Sequence, residues 1–86
     1  MKTVLITGGA NGLGKGIAMY YLIKGEKVIV VGSSIENGNN FYAEAKKSGM
    51  EERAVFIQAD LSLVKENQRL IQEIKKRFIS LDILIF

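Results

Sequence analysis

Thr7-Gly8-Gly9-Ala10-Asn11-Gly12-Leu13-Gly14 is the stretch that decides how this chain folds. Before it runs Thr3-Val4-Leu5-Ile6, short, apolar and β-branched, the pattern of a buried strand. After it, Leu13, Ile17, Ala18, Tyr21 and Leu22 recur at helical spacing on one face. A glycine-rich turn between a buried strand and a helix suits a phosphate. The helix start offers unpaired N–H groups and the positive end of the dipole. Glycines let an anion approach the backbone without meeting a Cβ. Four glycines within seven residues carry an entropic cost that a turn binding nothing would not need.

Spacing separates three phosphate patterns. The fingerprint G-x-G-x-x-G fails, because Gly12-Leu13-Gly14-Lys15-Gly16 brings its last glycine one residue early. The P-loop pattern nearly fits from Gly9 to Lys15, then fails at Gly16, where a hydroxyl should hold magnesium. The pattern T-G-x-x-x-G-x-G fits without a gap at Thr7, Gly8, Gly12 and Gly14. On these residues the sequence resembles the short-chain dehydrogenase/reductase family, whose nucleotide loop has this form at this distance from the N-terminus.

Composition narrows the chemistry. The 86 residues allow one small domain, and an apolar fraction of 48% supports a core. No run is long enough to span a membrane, and the N-terminus reads as a first strand rather than a signal peptide, so a cytoplasmic location is expected. Cysteine and histidine are absent, which excludes disulfides, thiolate nucleophiles, Cys/His zinc sites and a Ser-His-Asp triad within the chain; no metal ligand is assigned. The net charge is +3, and the densest basic run, Lys75-Lys76-Arg77, falls at the end of an expected helix, where cations complement the dipole. No basic stripe with aromatics points to nucleic acid.

In chain order the pattern predicts strands over 2–7, 27–32, 53–59 and 81–86, and helices over 12–24, from Ser33 or Ser34 to about Ser48, and from a Ser62 cap onward. The second helix should bury Phe41, Tyr42 and Ala45, with a weak first turn at Glu36-Asn37-Gly38-Asn39-Asn40. The third should bury Leu63, Asn67, Leu70, Ile71, Ile74 and Phe78. Apolar strands alternating with amphipathic helices predict an α/β, Rossmann-like, doubly wound parallel sheet in the order 3-2-1-4, one nucleotide-binding portion over 1–86. The glycine stretch, Ser33-Ser34 and Asp60-Leu61 then meet at the carboxyl ends of the strands, where such sheets bind ligands.

The resemblance implies a dinucleotide cofactor. Gly8, Asn11, Gly12, Leu13 and Gly14 are the residues expected around its pyrophosphate, at the helix N-terminus. Asp60, with the Leu61 backbone, stands where the family holds adenine; read from the residues alone, the alternative is that Asp60 only caps the third helix, competing with Ser62. A carboxylate at the end of the second strand would select NAD, and an arginine NADP. The segment Gly32-Ser33-Ser34-Ile35-Glu36 has neither directly at the strand end. Two hydroxyls at a helix start can donate to a 2′-phosphate, so the expectation is NADP, with NAD the alternative and Glu36 the residue that would favour it.

The resemblance spans the chain but only the first part of a family member. The family's catalytic Tyr-x-x-x-Lys and serine lie downstream of a region like this one. Tyr20 to Lys24 and Tyr42 to Lys46 match the spacing, yet any amphipathic helix produces such pairs, and no catalytic residue is assigned. The apolar last strand, Leu81 to Phe86, would be an exposed edge, which predicts either a truncated protein or self-association through that edge into a homo-oligomer. The expected parent moves a hydride between nicotinamide and a small carbonyl or alcohol. The competing readings are a P-loop-type nucleotide binder using Lys15, and a non-catalytic module that assembles through its last strand.

Overall fold

The computed structural model describes residues 1–7, 12–59, 64–77 and 82–85. Its elements are β1 (Thr3–Thr7), α1 (Gly12–Ile23), β2 (Lys27–Gly32), α2 (Ile35–Lys47), a 3-10 turn (Glu51–Arg53), β3 (Ala54–Gln58), α3 (Val64–Arg77) and β4 (Ile83–Ile85). The four strands are parallel, in the order β3-β2-β1-β4.

The sheet is buried on both faces, which explains the unbroken apolar runs in its strands. Val28, Ile29, Val30 and Val31 are all fully buried. Side chains alternate across the sheet. Val4, Ile6, Val28, Val30 and Ala54 face α1 and α2 through Ala18, Leu22, Phe41 and Ala45. Leu5, Ile29, Val31 and Ile57 face Leu70 and Ile74 of α3. The expected core positions Leu13, Leu63, Asn67, Ile71 and Phe78 lie outside the described side chains, as do the Ser62 cap and the strand ends Leu81 and Phe86.

Both helices against the first face end in the same way. Gly25 donates to the Leu22 carbonyl at 3.0 Å and Glu26 to that of Tyr21 at 3.1 Å; Gly49 donates to Lys46 at 3.0 Å and Met50 to Ala45 at 2.8 Å. These are Schellman caps, and Gly25 and Gly49 take the positive φ (92° and 73°) that they require. Helix α1 has no basic residue in its last turn. Arg53, from the end of the 3-10 turn, supplies the cation instead, donating to the Leu22 carbonyl at 2.7 Å and the Glu26 carbonyl at 2.9 Å. Arg53→Ala should therefore lower unfolding free energy by about 2 kcal/mol, as expected for charge-assisted bonds to carbonyls at a helix end, although the Leu22 carbonyl would keep its bond from Gly25. Urea denaturation would measure this.

Two local expectations are corrected, at Tyr42 and at the start of β3. Tyr42 is not core but 44% exposed. The buried stripe of α2 is Gly38, Phe41 and Ala45, which turns Tyr42 onto the flank. The expected serine cap of α2 is Ser34, whose Oγ accepts from the Asn37 N–H at 3.2 Å at the turn that carries the asparagines. Gly38 has a packing reason: a Cβ there would run into the ring of Phe56 on β3. The strand expected from Arg53 begins instead at Ala54, after the 3-10 turn.

Candidate functional site

Parallel register brings the strand ends to one level. Thr7 lies opposite Val31, and Gly32 opposite Gln58. The chain thus leaves β1, β2 and β3 at the same edge of the sheet, β1 toward the first turn of α1 and β2 toward α2. Gly12, Leu13 and Gly14 form the opening of α1. Gly8 and Asn11, in the connection before it, lie outside the described residues, as do Asp60 and Leu61 after β3.

Beside this edge, Ser33 is exposed and Ser34 half-buried. The Ser34 hydroxyl accepts from Asn37, which leaves its own proton to donate elsewhere. The first-turn amides of α2 have no partner within the helix, so its start carries partial positive charge. Glu36, in the same turn, is exposed. Two residues that the sequence did not single out shape this corner. The Ala59 N–H donates to the Gly32 carbonyl at 3.0 Å, and Gln58 Nε2 donates to the Ser33 carbonyl at 3.3 Å. Aligning the apolar runs of the second and third strands would have placed Gln58 opposite Gly32, but not its side chain on the next carbonyl.

Lys15, the residue a P-loop would need, pairs with Glu44 of α2, Nζ to Oε2, at 3.0 Å. Gly16 is exposed and a Cβ there would meet nothing. At the far end of α1, about 18 Å along its axis at 1.5 Å per residue, the Lys24 ammonium lies over the Tyr20 ring, 4.9 Å from its centroid. Its hydrogen bond with Tyr20, then the charge of Tyr20, hold its pKa above the usual lysine value. That Tyr-x-x-x-Lys pair is therefore remote from the glycine-rich connection. Among the described residues no cluster of three or more His, Cys, Asp or Glu could hold a metal, and no helix is long and apolar enough to cross a membrane.

Residues 2–86 match the short chain dehydrogenase family. The chain belongs to that family. A hydroxynaphthalene reductase-like protein, Arp2, of Metarhizium robertsii is 40% identical over 85 residues, covering 98% of this chain and 31% of the relative. A short-chain dehydrogenase/reductase of Caenorhabditis elegans, solved with cofactor, superposes with a TM-score of 0.86 at 31% identity, over 96% of this chain and 31% of that one. The F189W actinorhodin polyketide ketoreductase, solved with NADPH, gives 0.84 at 26% identity, over 96% and 31%. This short-chain dehydrogenase sequence thus spans about three-tenths of the length of the curated relatives it matches. Those relatives are oxidoreductases, and the family takes nicotinamide dinucleotides.

Proposed function

We propose that this chain is the cofactor-binding part of an NADP-dependent oxidoreductase that moves a hydride between nicotinamide and a small carbonyl or alcohol. One observation carries the reading: the glycine-rich connection joins the carboxyl end of β1 to the first turn of α1, where β1 is flanked by β2 and β4. Ligands of doubly wound sheets sit at such a switch point. Amides from Gly8 to Gly14, with Asn11 and Leu13 among them, hold the pyrophosphate against the helix start. Asp60 accepts from the adenine amino group, assisted by the Leu61 backbone. Ser33 and Ser34 donate to the 2′-phosphate at the start of α2.

The preference for NADP rests on the absence of a carboxylate directly at the end of β2, in Gly32-Ser33-Ser34. The NADPH held by the ketoreductase of similar fold is consistent with it. The nicotinamide supplies the hydride chemistry, and this chain's residues bind and orient the cofactor. No step of the hydride transfer is assigned to them. A cytoplasmic location fits this role. Titrating the 86-residue chain with NADP(H), NAD(H) and ATP–magnesium is the test. Binding of the dinucleotides, NADP(H) the tighter, is expected; binding of ATP–magnesium alone would overturn the assignment.

A further inference from the structure

We propose that Gln58 is a positioning residue for the 2′-phosphate, acting through the Ser33–Ser34 peptide; this rests on the cofactor reading above. Successive residues at the end of β3 fasten successive carbonyls at the end of β2. The Ala59 N–H holds Gly32, and Gln58 Nε2 holds Ser33. The first is an extension of the strand ladder that any residue but proline could make. The second depends on the side chain: a donor at the end of two methylenes, at the position opposite Gly32.

Fixing the Ser33 carbonyl fixes more than that oxygen. The chain has no cis peptide among its described residues. In a trans peptide the N–H points opposite to the preceding C=O. With the Ser33 carbonyl turned toward β3, the Ser34 amide is turned away from it, toward the side of β2 on which β1 lies. That is the side from which the glycine-rich connection departs. Ser34 is in extended conformation, φ −94° and ψ 113°, with its hydroxyl engaged by Asn37. Gln58 thereby sets both the Ser34 amide and the Ser33 backbone from which the Ser33 hydroxyl projects. Without its donor the Ser33 carbonyl loses its tether to β3, and the Ser34 amide is held only through the helix cap that follows it. An anion there then meets a less well aligned amide while the rest of the nucleotide site is untouched.

The test uses the 86-residue chain with two probes, adenosine 2′,5′-bisphosphate and AMP, followed by amide chemical shifts. Gln58→Met keeps length and removes the donor; Gln58→Glu replaces the donor with a negatively charged acceptor. Gln58→Met should weaken the bisphosphate about three- to ten-fold, the worth of one aligned hydrogen bond. AMP affinity and the thermal midpoint should not change. Gln58→Glu should weaken the bisphosphate further, again sparing AMP. Equal weakening of both probes, or a lowered midpoint with an unchanged affinity ratio, would mean a purely structural role and would overturn the proposal. A wild-type chain that prefers the bisphosphate, with a variant that keeps the preference, would overturn this inference alone. A wild-type chain with no preference for the bisphosphate would overturn the 2′-phosphate reading with it.

Discussion

Gly38→Val should remove about 2–3 kcal/mol of unfolding free energy, the usual cost of forcing extra carbons into packed core. A Cβ at Gly38 would sit within the space of the Phe56 ring, at Cδ2, Cε2 and Cζ. That ring packs against the cluster of Val4, Ile6, Val28, Val30 and Phe41, so it cannot withdraw without loosening the sheet face beneath α2. Helix propensity opposes the effect, since glycine in a helix interior costs up to about 1 kcal/mol relative to alanine. The clash wins because it lies over a buried stripe and not at a solvated position. For a small domain this is a large share of the total. Denaturant midpoints of Gly38→Val, Phe56→Ala and the double variant would give the coupling directly. The double variant should lose clearly less than the two single losses added together. Strict additivity, or a neutral Gly38→Val, would contradict the packing described.

Gly12→Val should reduce dinucleotide affinity about 100-fold, the loss of two charge-assisted amide bonds at about 1.5 kcal/mol each. On the proposed reading a phosphate lies against the start of α1, and a branched side chain there would hold it off the amides. Lys15→Ala should leave affinity within about two-fold, because Lys15 is engaged with Glu44 on the surface, a kind of pair worth at most about 1 kcal/mol. The two variants separate this site from a P-loop, in which the lysine is indispensable and its loss abolishes binding. Calorimetry of both variants with NADP would measure the contrast.

The layers of this fold were legible because strands buried on both faces must be apolar throughout. Val28-Ile29-Val30-Val31 and Thr3-Val4-Leu5-Ile6 admit few other readings. The two-sided pattern of β3 was legible for the same reason, with Ala54 and Phe56 on one face and Val55 and Ile57 on the other. What stayed hidden depends on contacts between distant segments. Gly38 looks like a helix defect until Phe56 is seen beneath it. Tyr42 fits a helical stripe, but the buried face runs through Gly38, Phe41 and Ala45 and leaves it on the flank. Arg53 shows no sign in sequence that it will close a helix that ended some 30 residues earlier. At the candidate site the Ser34 cap could be read locally, as a serine before a helix. The bond from Gln58 to Ser33 could not, because it requires the register of two strands separated by a helix.

The central claim is that main-chain amides between Gly8 and Gly14 grip the diphosphate of a nicotinamide dinucleotide. The most direct measurement is an amide-resolved NMR titration of the 86-residue chain with NADP. Saturable shifts concentrated at Gly8, Gly12, Leu13 and Gly14, joined by Ser33, Ser34 and Leu61, are the expected result. An unperturbed 8–14 segment in the presence of bound dinucleotide would contradict it.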